Sequence, residues 1–190
     1  ELIDELLNRR QFDKAVVLIN ELLPTFADKD MRAALNQKLT QITGNWGRFE
    51  PMDAQPAGTK AKLSLVFRNA TKVDLVARRV DVAKLLTDTQ AYLKTKPQDR
   101  DWQRANVESV GQRLIAEGRN KYLSKPVAEW SQDLQPAPRH WDKRTSIETP
   151  LSEAGAYLIE ATFAGKNPTR ALLWLNGITL VQTKQAEGMH

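Results

Sequence analysis

The sequence predicts a mainly β protein with helices: an antiparallel two-sheet β-sandwich of about seven strands, with an N-terminal helical hairpin and a two-helix insertion. Three observations carry this. Apolar residues recur at helical spacing through the first 43 positions, alternate with period two from residue 62, and return to helical spacing between residues 81 and 123 before the strand patterns resume.

In the first segment Leu2, Ile3, Leu6 and Leu7 form one apolar stripe, Phe12, Ala15, Val16 and Ile19 a second, and Met31, Ala34, Leu35, Leu39 and Ile42 a third. Pro24 separates the last two, and Gly44 stands where a helix C-terminus favours a left-handed residue. Residues 1–44 are therefore an expected helical hairpin, preceded by the end of another helix. "NRRQFDKAVVLINELL" has the spacing of a tetratricopeptide-like hairpin, but a single unit shows no repeat, and a plain packing pair accounts for it equally well.

Residues 45–58, rich in Gly and Pro around Trp46 and Phe49, mark an expected linker. The sandwich is expected over 59–185. Leu63, Leu65 and Phe67 point one way and Lys62, Ser64 and Arg68 the other, and "RNATK" reads as a hairpin turn into a strand from Val73 to Val80. Asp81 can cap a helix carrying Val82, Leu85, Leu86 and Leu93; after Pro97, Asp99 or Asp101 can cap another through Trp102, Ala105, Val110, Leu114 and Ile115. Further strands follow at "KPVAEWSQDL", "RTSIET", Gly155 to Phe163 and "RALLWLNGITLVQTK", where Asn176-Gly177 is a hairpin signal. Short strands with polar turns at this density fit the immunoglobulin-like kind of sandwich.

Composition narrows the chemistry. The 190 residues include no cysteine, so the sequence offers no disulfide, no thiolate metal site and no thiol nucleophile. Net charge is +5, with 15 Lys/Arg against 7 Asp/Glu between residues 60 and 125, spread singly along amphipathic segments rather than in basic runs. A solvated surface explains that balance, so no nucleic-acid partner is expected. No window reaches the roughly 18 to 20 apolar residues of a membrane span. The chain opens at Glu1 inside a helical pattern without an initiator Met, and reads as an excerpt of a longer polypeptide.

No catalytic, cofactor or metal site is expected. The two histidines, His140 and His190, cannot form a metal-ligand spacing, no serine lies in a Gly-x-Ser-x-Gly context, and the nine glycines make no phosphate-binding pattern. Asp99 with Asp101 and Asp133 with Asp142 are pairs that capping and turns explain. Among the tryptophans, Trp102 falls on a helix's apolar face, and Trp130 and Trp174 fall in strands where a sandwich core takes large side chains. Trp141, beside His140 in a loop, is the candidate ligand-binding aromatic. Asn69-Ala70-Thr71 matches the N-glycosylation acceptor pattern, a match short enough to arise often by chance.

"PAGTKAKLSLVFRNATKVDLVARRVD", Pro56 to Asp81, resembles the opening strands of the first macroglobulin-like domain of bacterial α2-macroglobulin-like proteins. Pro150, Leu151, Gly155, Tyr157, Leu158 and Glu160 are similar to that domain's later strand, and "ALLWLNGITLVQTK" to its closing hairpin. The resemblance covers roughly residues 56–184 and rests on strand patterns. It implies a non-catalytic structural module of a large secreted, cell-surface or periplasmic endopeptidase inhibitor that traps proteases, with sibling domains of the same polypeptide as partners and proteases as targets of the parent. Lacking cysteine, this chain cannot carry the thioester found in many members, and no functional residue carries over. The competing expectation is an extracytoplasmic glycan- or peptide-binding sandwich that uses Trp141 and its neighbouring loops.

Overall fold

The computed structural model describes residues 2–94, 120–164 and 168–178. Three helices come first: α1 (Leu2–Asn8), α2 (Phe12–Leu22) and α3 (Lys29–Thr43). They pack on the stripes that the periodicity marks, burying Ile3, Phe12, Ala15, Ile19, Leu35 and Ile42 together. Asp28 caps α3 by accepting from the N–H groups of Asp30 and Met31 at 2.8 and 3.3 Å. Gly44 departs from expectation. Its φ of −71° and ψ of 152° are extended, and its N–H donates to the Thr40 carbonyl, so the chain leaves α3 directly as a strand.

That strand is β1 (Trp46–Phe49), and β2 (Gln55–Pro56) follows, so the expected linker supplies two edge strands. The remaining strands are β3 (Lys62–Arg68), β4 (Lys72–Val80), β5 (Leu123–Asp133), β6 (Lys143–Glu148), β7 (Gly155–Thr162) and β8 (Thr169–Asn176). They form a small sheet in the order β1-β3-β6 and a large one in the order β2-β8-β7-β4-β5. All pairings are antiparallel except β2 with β8. Inward positions alternate as period two requires: Leu63, Leu65 and Phe67 face Val73, Leu75, Ala77, Tyr157, Ile159, Ala161, Phe163, Leu173 and Leu175 in one core between the sheets.

The expected hairpin between β3 and β4 is absent, because the two strands lie in different sheets. "RNATK" is a corner. Ala70 is fully buried in it and Asn69 takes φ +60°, which Asn tolerates better than most residues. A tight two-residue hairpin would need left-handed residues of the Asn-Gly type at both centres, and Ala70 is a poor one. Trp174 is also displaced from its expected place: Leu173 and Leu175 take the inward positions of β8, so Trp174 lies on the outer face, 39% exposed. Trp130 does pack against the core from β5, with its indole N–H buried and unpartnered among the described residues. Neither Asn176 nor Gly177 takes the positive φ of a type I′ turn. The expected return strand beyond Ile178, and the helix expected from Asp99 to Ile115 with Trp102, lie outside the described residues.

The large sheet is buried on both faces over part of its area. α4 (Val82–Lys94) and the 3-10 turn Asn120–Tyr122 cover its outer side, where Val80, Leu85, Tyr122, Ala156 and Leu158 form a second small core. Asp81 caps α4 as the sequence suggests, accepting from the Lys84 N–H at 2.9 Å. The turn is tied to the helix through Asp88, which accepts from both the Lys121 ammonium and the Tyr122 hydroxyl at 2.6 Å. Those two donors hold the Asp88 carboxyl below the usual carboxylate range.

Entry into β7 is fixed by a side chain folding back on its own loop. The Tyr157 hydroxyl donates to the Glu153 carbonyl at 3.0 Å, the arrangement of a tyrosine corner, while the Arg79 guanidinium donates to the Ala154 carbonyl at 2.9 Å. Tyr157→Phe keeps the ring and removes the bond, and should cost about 1 kcal/mol in urea denaturation with an unchanged circular dichroism spectrum. A variant as stable as the parent would show that this bond adds nothing. Because the folded Asp88 carboxyl titrates below its unfolded value near 4, its contribution is present above that value and is lost as pH falls through the depressed one. The stability difference between the parent and Asp88→Asn should therefore be present at pH 7 and shrink as pH falls below the ordinary carboxylate range near 4; a difference constant with pH would contradict the assignment.

Candidate functional site

His140 and Trp141 sit where the helical unit meets the sandwich. Pro138–His140 form a single 3-10 turn in which Arg139 and His140 both take φ near +60°, an arrangement that costs non-glycine residues energy and persists only when surroundings hold it. The holding contact is visible. His140 Nδ1 lies 2.8 Å from Asn69 Oδ1, and Asn69 Nδ2 donates in turn to the carbonyls of Ile42 at 2.7 Å and Gly44 at 3.0 Å. With the amide nitrogen spent on two carbonyls, Asn69 Oδ1 is the acceptor and His140 Nδ1 the donor. One asparagine at the end of β3 thus satisfies orphan carbonyls at the end of α3 and fixes the turn before β6.

Beside it, Arg68 makes the second half of the joint. Its Nε and Nη2 donate to Asp142 Oδ1 at 2.9 and 2.7 Å, and its guanidinium lies 4.1 Å from the centroid of the Phe12 ring at the start of α2. The Trp46 ring lies 5.8 Å away. Arg10, in the loop between α1 and α2, reaches Asp142 Oδ2 at 3.7 Å, and Arg139 reaches Asp13 of α2 at 3.9 Å. The Arg68 side chain is only 14% exposed, so its charge depends on Asp142 and the aromatic ring rather than on water.

The structure brings His140 into this joint and leaves Trp141 on its rim, 55% exposed. The sequence marks the residues that organise the place, Arg68 and Asn69, only as the outward end of a strand and the first residue of a turn. The glycosylation pattern at Asn69 is incompatible with the joint, since its amide nitrogen is committed to two main-chain carbonyls. Of the carboxylate pairs, Asp142 is engaged by Arg68, Asp133 lies opposite Lys72 at the β4/β5 ladder, and Asp99 and Asp101 are outside the described residues. No group of three or more His, Asp or Glu side chains suited to a metal ion occurs among the described residues.

Removing Arg68 leaves Asp142 with the longer contact to Arg10 and uncovers Phe12. Arg68→Ala should lose about 2 to 3 kcal/mol in urea denaturation and raise amide exchange in α2 more than in β7, whereas Trp141→Ala should stay within about 0.5 kcal/mol of the parent. Equal effects of the two changes would contradict this division of roles.

No family model matches the sequence, and no curated protein matches it. Among solved structures, the chain is similar to a crystal structure of native alpha-2-macroglobulin from Escherichia coli spanning domains MG0-NIE-MG1, at 20% identity and TM-score 0.43 over 74% of this chain and 42% of that one. It is similar to a second crystal structure of that protein, spanning domains NIE-MG1, at 19% identity and TM-score 0.41 over 70% of this chain and 61% of that one. It is also similar to a beta-glucosidase from Listeria innocua in complex with gluconolactone, at 9% identity and TM-score 0.36 over 72% of this chain and 16% of that one. The chain thus spans less than two thirds of the length of each of these neighbours.

Proposed function

We propose that this chain is a non-catalytic structural and interaction module of a large, extracytoplasmic α2-macroglobulin-like protein that traps proteases. The observation that carries the reading is the use made of the polar side chains at the candidate site. His140, Asn69, Arg68 and Asp142 bond to one another and to main chain, and so serve to fix a helical unit on a sandwich rather than to receive a substrate. The strand patterns from residue 56 to 184 support the family, and the absence of cysteine assigns any thioester to another part of the parent.

A module of this kind should present apolar surface to its siblings. A groove of about 500 Å³ on the helical unit, lined by Leu2, Leu18, Leu22, Phe26, Met31 and Ala34, fits that role, with Leu2 62% and Met31 46% exposed. No helix among the described residues is long and apolar enough to cross a membrane. The partners in this reading are sibling domains, with proteases as targets of the parent alone and no nucleic acid.

The test separates module from parent. Trypsin mixed with this chain alone should keep full activity on casein, whereas trypsin mixed with the full-length parent should lose activity on casein while still cleaving a small chromogenic peptide. Inhibition by the chain alone, or full casein cleavage in the presence of the parent, would overturn the proposal.

A further inference from the structure

The outward face of the small sheet carries more charge than the joint beside it uses. Phe67 points into the sandwich, so Val66 and Arg68 point out, and their cross-strand partners point out with them: Trp46 opposite Arg68, and Arg48 and Arg144 on either side of Val66. Arg10 meets this face at Asp142, and Arg139 stands on the adjoining turn against Asp13. Glu50, which follows β1, accepts from Arg144. Five arginines and three carboxylates therefore alternate along one belt, from α2 across the 3-10 turn to the outer surface of β1, β3 and β6.

Most guanidinium donors of the belt are unspent. Arg68 is the exception, bonded twice to Asp142 and largely buried. Arg144 is exposed and gives Nε to Glu50 Oε1 at 2.8 Å, which leaves its terminal nitrogens open. Arg10 and Arg139, both exposed, reach their carboxylates only at 3.7 and 3.9 Å, beyond hydrogen-bond distance. Arg48 is exposed and makes no ion pair or side-chain hydrogen bond among the described residues. Two exposed tryptophans accompany the belt, Trp46 opposite Arg68 and Trp141 next to Asp142. Arginine and tryptophan are the side chains that protein interfaces concentrate and that carry most of their binding energy.

We propose that this face docks an acidic protein surface, one that presents carboxylates around an apolar side chain. The belt selects that chemistry by charge. A guanidinium with open donors takes a carboxylate through two parallel bonds, which a lysine in its place would not do. The belt's own carboxylates at Asp13, Glu50 and Asp142 stand between the arginines and oppose a continuous run of phosphates, so a polyanion such as nucleic acid meets repulsion as well as attraction. The five arginines exceed the three carboxylates by two, a surplus that about two acidic side chains of a partner would balance. Trp46 and Trp141 supply the apolar anchors. The face is distinct from the groove lined by Leu2 and Met31 on the helical unit, and the inference holds whether or not the parent traps proteases.

The experiment titrates the folded, nitrogen-15-labelled chain at low salt with a synthetic dodecapeptide repeating Glu-Glu-Leu, and in separate arms with a Lys-Lys-Leu dodecapeptide and a DNA duplex. The indole N–H signals of Trp46 and Trp141 should shift with the acidic peptide alone, while that of Trp174, exposed on the outer face of the other sheet, should stay in place. Arg48→Glu breaks no ion pair of the described residues and should weaken the acidic peptide by about 10-fold or more, whereas Lys125→Glu, the same charge change on β5, should weaken it by less than about 2-fold. Trp141→Ala should weaken it by about 5-fold and serves the same end if Arg48→Glu is unstable. No shift with the acidic peptide, an equal shift at Trp174, equal losses from the two charge reversals, or tighter binding of the DNA duplex or the basic peptide at Trp46 and Trp141 would each overturn the proposal.

Discussion

The corner at the end of β3 is the constraint on which the rest of the molecule depends. Four consecutive residues serve four masters: Phe67 points into the sandwich, Arg68 out to Asp142 and Phe12, Asn69 back to α3 and across to His140, and Ala70 into the core again. The chain changes sheets here, so the corner holds the small sheet to the large one and the helical unit to both. Its polar members are partly buried, and the loss of either partner in the Arg68–Asp142 pair costs more than the loss of an exposed ion pair.

This explains what the sequence disclosed and what it withheld. Period-two alternation at Leu63, Leu65 and Phe67, and again at Val73 and Leu75, marks strands and their inward faces without reference to partners. It does not distinguish a hairpin from a sheet-changing corner, because both leave the same residues facing the core. The choice between them is made by long-range pairing with β6 and β7, which a local pattern does not contain. Trp174 shows the same limit from another side: its size argues for burial, but Leu173 and Leu175 have prior claim on the inward positions. β1 and β2 were hidden because they are four and two residues long and carry the Gly and Pro of a linker.

The candidate site was legible only in part for a related reason. His140 and Trp141 stand out as aromatic or titratable residues in a polar loop, and the loop is indeed a special place. What makes it special is set by residues 71 positions earlier, at Asn69, and at the end of the first helical unit. Asn69 carried a signal of its own, since Asn at a position needing positive φ is favoured, but that signal concerns the backbone and says nothing of the three partners its side chain finds.

Closure of the core at the β1 end follows from one residue. Phe163 fills the end of the sandwich at 2% exposure, and its ring occupies the space a side chain at position 47 would need. Only glycine lets β1 approach closely enough to seal that end. Packing density therefore decides the residue at this position, while at β5, on the border of the large sheet, Lys125 and Pro126 protect the edge.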